Sequence, residues 1–263
     1  MENFVLKDNY TFADLISILK ILRAPGGCPW DREQTHQSIR NSFIEETYEA
    51  VDAIDNGDTA GLCEELGDVL LQVIFHAQLA EESGAFDINA VCDGICKKLI
   101  YRHPHVFSDT KADTSAQVLD NWDKLKRKEK HQDSFTDTLY SVPKAFPALI
   151  RSQKVQKRAA KAGFDWPDIN GSLSKLSEES KELREAISNH TNTEEELGDL
   201  MFSIVNIARF LNIDAEQALT KATDKFISRF AAVEDLVTKS GKTMSELSLA
   251  ELDSIWDSVK STQ

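Results

Sequence analysis

The feature that most restricts this chain is a repeat. The segment FIEETYEAVDAI at 43–54 returns as LSEESKELREAI at 176–187, and EELGDVLLQVIFHAQ at 64–78 returns as EELGDLMFSIVNIAR at 195–209. KKLIYRH at 97–103 is matched by DKFISRF at 224–230, and CPWD at 28–31 by GFDW at 163–166. Four matches in one order define an internal duplication of about 100 residues. The period inside each copy is helical. Phe12, Leu15, Ile16, Leu19 and Leu22 fall on one stripe of 11–23, and Pro25, Gly26, Gly27 and Pro29 end it. Further helices are predicted over about 38–54, 59–82 and 87–103, interrupted at Asn56-Gly57-Asp58 and at Gly84, with Asp87 as an N-cap and Pro104 as the stop. The expected architecture is all-α: two tandem four-helix units, 1–107 and 143–263. A polar linker, 108–142, joins them and carries a helix with Trp122 and the basic run LKRKEK.

The balance of 30 basic against 44 acidic residues, a net charge of −14, disfavours attraction to nucleic acid or anionic lipid. The basic run, set among acids, reads as a solvated helix face. A polyphosphate ligand of so acidic a chain calls for a divalent cation that takes carboxylate and phosphate oxygens together. Cys28, Cys63, Cys92 and Cys96 show no metal or secretory spacing and read as free thiols. The start of the chain has no basic and apolar leader pattern, and the apolar stretch at Val69 to Phe75 is far too short to span a bilayer. A cytoplasmic protein is expected.

Glu46 and Glu49 stand at i and i+3, as do Glu65 and Asp68 on the next predicted helix; residues so spaced share a helical face. An antiparallel pairing of the two helices turns both pairs inward as a four-carboxylate cage. Glutamates at this spacing are common on solvent faces, but Asp68 precedes an apolar run expected to be buried. Gly67 beside it, at a helix-stability cost of about 1 kcal/mol, suggests close approach to the backbone. The second copy repeats the quartet as Glu179, Glu182, Glu196 and Asp199, and this recurrence points to metal binding. An all-oxygen set selects Mg²⁺, with Mn²⁺ as a substitute. A di-iron bundle would need Glu-x-x-His, which neither copy has. His103 and His105 read as helix-terminating residues. Lys98 and Arg102, spaced i and i+4, recur as Lys225 and Arg229, a cation pair suited to gripping phosphate.

These residues resemble the MazG family of nucleoside triphosphate pyrophosphohydrolases in its tandem form. The resemblance runs from about Asp14 to Lys260 on GGCPWD, EETYEAVDAI, EELGDVLLQVIFHAQ, KLIYRHPHVF, QKVQKRAAKAGFDW and EEELGDLMF. It implies hydrolysis of a nucleoside triphosphate between its α and β phosphates, and four-helix units that form a homodimer with the site between helices. It also favours the C-terminal copy for catalysis, with Glu179, Glu182, Glu196 and Asp199 as Mg²⁺ ligands. The same resemblance places Lys175, Glu178 and Glu195 at the nucleotide, Lys225 and Arg229 at phosphate, and Trp256 at the base. Glu178 is the candidate general base. The N-terminal quartet is left as a possible second metal site, with Lys98 and Arg102 as a possible second phosphate site. Asn192 and Thr223 depart from the family pattern, where Lys and Asn are usual, and put a nucleotide contact in doubt. Two rival readings are a nucleotide-binding regulatory dimer with little turnover and an enzyme restricted to one substrate. The CPWD and RHPHVF markers argue against the restricted enzyme.

Overall fold

The computed structural model describes residues 4–108 and 114–262, and among these there is no strand. The chain divides into two compact units, Met1–Lys126 and Arg127–Gln263.

In the first unit α1 (Phe12–Arg23) opens on a capping box. Asp14 accepts from the Thr11 amide at 2.8 Å and from Lys7 Nζ at 2.5 Å. Lys7 first, then the Thr11 bonds, bring its pKa down to about 2. After the short α2 (Pro29–Glu33), α3 (Arg40–Asp55) and α4 (Thr59–Glu82) form the main pair. Their turn uses Gly57 at φ +66°, where a side chain is strained, and Asp58, whose carboxylate accepts from the amides of Ala60 and Gly61. Lys20 and Arg23 of α1 bond Glu81 and Glu82 of α4, each at 2.7 Å. Leu19, Ile39, Ile74 and Phe75 form the core they close.

The run after Asp68 is less buried than its composition suggests. Ile74 and Phe75 are buried, but Leu70 is 37% exposed, as is Leu66, just before Asp68, at 54%. The reason is that α1 packs on the C-terminal half of α4 and leaves the half beside the quartet uncovered. Gly67, expected to be closely approached, has no atom from beyond its own helical turn within 4 Å of where a Cβ would sit, nor has its counterpart Gly198. The unit continues through α5 (Ile88–Arg102) and α6 (Pro104–Phe107), with His103 at the junction: it is the C-cap of α5, and Pro104 begins α6. The division between the units falls within α7 (Ser115–Glu129).

The second unit contains α8 (Phe135–Tyr140), α9 (Ala148–Lys161), α10 (Ile169–Asn189), α11 (Thr193–Phe210), α12 (Ala215–Lys239) and α13 (Leu249–Thr262). Gln153 fastens α9 to the turn before α12, donating to the Ile213 carbonyl at 2.7 Å and accepting from the Ala215 amide at 3.4 Å. The α10–α11 turn is tight enough to hold both His190 and Asn192 in the left-handed region, at φ 56° and 46°. Val233, Val237 and Val259 knit α12 to α13, with Trp256 packed against them.

Candidate metal and nucleotide site

Each quartet is assembled by one helix pair joined by a short turn, α3 with α4 and α10 with α11. In the second unit, carboxylate oxygens of Glu179, Glu196 and Asp199 all lie within 4.8 Å of one another. Glu182 is close enough to repel Glu196: burial first, then Glu182, Glu179 and Asp199, push the Glu196 pKa above the ordinary value. Glu179 is only 4% exposed. Its Oε1 accepts from Lys175 Nζ at 2.6 Å, while its buried Oε2 has no partner within the chain. Lys175 also bonds Glu178 Oε1 at 2.9 Å, and these two bonds raise its pKa.

The first unit converges a different trio with less neutralisation: both glutamates of α3 with the first quartet acid of α4, where the second unit uses one glutamate of α10 with both quartet acids of α11. Oxygens of Glu46, Glu49 and Glu65 again lie within 4.8 Å of one another. Burial raises the pKa of Glu46, followed by repulsion from Asp68 and Glu49. Burial likewise raises that of Glu65, followed by repulsion from Glu49 and its neighbour Glu64. No cation of the described residues pairs with this quartet; the position four before Glu46, where the second copy has Lys175, is Ser42.

A buried carboxylate oxygen without a donor is costly, and crowded carboxylates with raised pKa values repel one another. Both faults are relieved by a hard divalent cation, so the residues present fit such an ion. Of each expected quartet three carboxylates converge, while Asp68 in the first copy and Glu182 in the second stand outside the trio, near enough to repel Glu46 and Glu196 respectively.

The basic residues fall differently. Lys225 is exposed and Arg229 half-buried on α12, and Lys98 is exposed on α5. Arg102 is only 8% exposed, with its guanidinium 5.1 Å from the centre of the Trp122 ring on α7. Lys126 covers the same ring at 4.7 Å, so part of the basic run serves packing. Trp256 lies 5.2 Å from Phe226, the neighbour of Lys225, and is half-buried in the α12–α13 core. Glu178 and Glu195 are exposed beside the quartet. Asn192 makes no side-chain cap, and Thr223 donates to the Leu219 carbonyl at 3.0 Å.

Sequence reasoning did not single out the pairing of His36 with His76, whose Nδ1 atoms are 2.8 Å apart in parallel rings. Nor did it single out a cavity in the second unit between α9, α11 and the 163–166 loop. The signal available for the second was GFDW, taken only as a marker of the repeat.

The model of the MazG nucleotide pyrophosphohydrolase domain matches the sequence twice, at 34–107 and 170–233. The chain belongs to the MazG family. Both matches include a complete quartet and its cation pair, while Trp256 and the two CPWD-like loops lie outside them. The chain is 46% identical to the nucleoside triphosphate pyrophosphohydrolase/pyrophosphatase MazG of Thermotoga maritima, over 95% of each protein. It is 45% identical to the nucleoside triphosphate pyrophosphohydrolase of Escherichia coli K12, over 94% of this chain and 95% of that one. The uncharacterized protein YabN of Bacillus subtilis is 46% identical, with 97% of this chain matching 52% of its length. This MazG chain thus carries the family's domain in duplicate, on an all-helical frame with no helix long and apolar enough to cross a membrane among the described residues.

Proposed function

We propose that the protein hydrolyses nucleoside triphosphates, with broad base tolerance, to a nucleoside monophosphate and pyrophosphate in a Mg²⁺-dependent reaction centred on the second quartet. The observation that carries this reading is Glu179: a buried carboxylate with one oxygen held by Lys175 and the other without a partner, in a cluster with Glu196 and Asp199. Glu179, Glu182, Glu196 and Asp199 are the ligands. When bound, the cation supplies positive charge for the phosphate oxygens and acidifies water.

The chain's own residues do the rest. Lys175 has its ammonium beside the quartet and can turn from Glu179 to a phosphate oxygen. Lys225 and Arg229 hold the charge that accumulates on the phosphoryl oxygens and the departing pyrophosphate. Glu178, exposed and within reach of Lys175, takes the proton of the attacking water. The water oxygen bonds the α phosphorus as the bond to the β-phosphate oxygen breaks. Glu195 and Trp256 complete the nucleotide contacts. The first quartet, with Lys98 and Arg102, forms a second metal and phosphate site. The functional boundaries are 1–107 and 143–263, with 108–142 as linker.

A homodimer is part of this reading. Apolar side chains beside the quartets are exposed, including Leu66 at 54%, Leu197 at 47% and Met201 at 45%, and a second copy would cover them. We place the protein in the cytoplasm, with nucleotides rather than nucleic acids as partners. The test is product analysis over a panel of nucleoside triphosphates with Mg²⁺, with each quartet neutralised in turn. Pyrophosphate and monophosphate are the expected products; orthophosphate release, or unchanged activity with both quartets neutralised, overturns the reading.

A further inference from the structure

In the first unit His36 and His76 are bonded to each other, Nδ1 to Nδ1 at 2.8 Å. Their rings are parallel to within 4° and their centres lie 5.1 Å apart, nearly the greatest separation that such a bond allows. The two nitrogens therefore face each other along the line between the rings. An ion such as Zn²⁺ cannot lie on that line, because bonds of about 2.0 Å to each nitrogen would need them about 4 Å apart. A proton can. One Nδ1 donates and the other accepts, which makes one ring the Nδ1–H tautomer and the other the Nε2–H tautomer.

The bond joins two elements. His36 is exposed in the segment between α2 and α3, and His76 is half-buried on α4, with the Phe43 ring of α3 5.7 Å away. On either side of His36 the segment is anchored by groups that do not titrate near neutrality: Arg23 donates to the Gln34 carbonyl at 3.4 Å, and Ile39 is 3% exposed in the core. Between these anchors the side chains of Thr35 and Ser38 bond only within the segment. The charged groups of the surrounding helices have partners of their own. Lys20 and Arg23 of α1 pair with Glu81 and Glu82 of α4, Arg40 of α3 donates to Asn41, and Glu46, three residues beyond Phe43, belongs to the quartet. Burial first, and then His36, push the pKa of His76 below the ordinary 6.5.

The second unit fastens the same junction without a titratable group. Counted from the paired loops CPWD and GFDW, the position of His36 is that of Gly171; counted from the paired EELGD runs, the position of His76 is that of Ile207. The Trp166 ring lies so close to Gly171 that a side chain there would run into it. An indole seated on a glycine has no charge to gain in acid.

We propose that His36 and His76 form an acid-sensitive latch, present in the first unit alone, that holds residues 35–38 on α4 until both imidazoles are charged and then releases them. With neither ring or one ring charged, the N–H to N bond persists. Two imidazolium rings each present an N–H at the shared position, so no acceptor remains and like charges stand 2.8 Å apart. A histidine whose pKa is lowered by folding contributes stability that is full above its unfolded value and is lost as pH falls through the folded one. Acid therefore opens the latch. The release is local, because Arg23 and Ile39 keep their places, and it is independent of the reaction assigned to the quartets.

The test follows the imidazole resonances by NMR, and amide hydrogen exchange by mass spectrometry, in the full chain from about pH 8 to about pH 5. Wild type, His36→Ala and His76→Ile are compared, and thermal melts of the variants report folding. In wild type the pair is expected to titrate in two steps separated by about one pH unit or more. Across the lower step, exchange at 35–38, corrected for the intrinsic effect of pH, is expected to rise about tenfold. His36→Ala is expected to leave His76 a single step at higher pH, with exchange at 35–38 already fast near neutrality. His76→Ile is expected to abolish the step in exchange. The wild-type titration decides the matter even where a variant is unstable.

Two imidazoles that titrate independently at the ordinary value, or exchange at 35–38 that ignores the lower step, would overturn the latch. Movement of both imidazole resonances by one equivalent of Zn²⁺ near neutral pH would overturn the shared proton in favour of a metal ion.

Discussion

The two acidic quartets share one spacing and one scaffold, yet they differ in what surrounds the carboxylates. In the second unit Glu179 is buried and paired with Lys175, and one glutamate of the quartet, Glu196, has a raised pKa. In the first, Ser42 stands where Lys175 would be, no described cation pairs with the quartet, and both Glu46 and Glu65 have raised pKa values. The E-x-x-E and E-x-x-D spacing sets where oxygens converge. A residue one turn outside it sets the resting charge. The comparison teaches that duplicated ligands do not imply duplicated duty, because a built-in ammonium gives one site a cation to exchange and leaves the other dependent on an ion from solution.

The hardest blow to this comparison would come from neutralising each quartet. Glu196→Gln with Asp199→Asn is expected to lower pyrophosphate release on the order of a thousandfold, as loss of a metal-organised charge cluster does. Glu65→Gln with Asp68→Asn is expected to leave most of the turnover. Equal losses would erase the asymmetry.

A smaller effect exchanges the one-turn neighbour. Lys175→Ser is expected to tighten binding of Mn²⁺ alone to the second quartet by about tenfold, since the ion no longer displaces an ammonium. Ser42→Lys is expected to weaken it at the first by a similar factor. Titration calorimetry without nucleotide, with the other quartet neutralised, reads both. Unchanged affinities would mean that Lys175 only positions Glu178 and Glu179.

The smallest effect is a pH dependence. A carboxylate whose pKa is raised by folding contributes stability below its unfolded value, and that stability is lost as pH climbs through the folded value. With chelator present, the gap between the melting temperatures of Glu65→Gln and wild type should therefore open as pH rises above the ordinary glutamate value of 4.5, the variant being the more stable. Glu196→Gln should show a smaller gap, because Lys175 already shields its quartet. Saturating Mg²⁺ should close or invert both gaps. A gap that opens towards acid would contradict the raised values.

Much of the fold was legible from the sequence because local signals agreed: Asp87 caps the helix its position predicts, and the break at Asn56-Gly57-Asp58 falls between α3 and α4. The convergence of three carboxylates in each copy was legible for the same reason, since helical period and a short turn suffice to bring them together, whereas which member stands apart was not. What escaped was tertiary in origin. The exposure of Leu66 and Leu70 depends on how far α1 reaches along α4, which no window of sequence states. The bond between His36 and His76 joins residues 40 apart in the chain, which no local pattern pairs. Trp256, read from its resemblance as a base contact, sits against Val233 and Val237, so part of its ring is already committed to packing.

Arg102 also bears on how the molecule could be dissected. A fragment ending at Phe107 keeps both acid pairs of the first unit but removes Trp122, the indole that lies over this guanidinium. A charge that is 8% exposed would lose the ring that covers it, and α5 its contact with α7. An autonomous N-terminal half should therefore extend past the repeat boundary at Phe107, at least through Lys126, so that α7 up to that residue is both linker and clasp of the first unit.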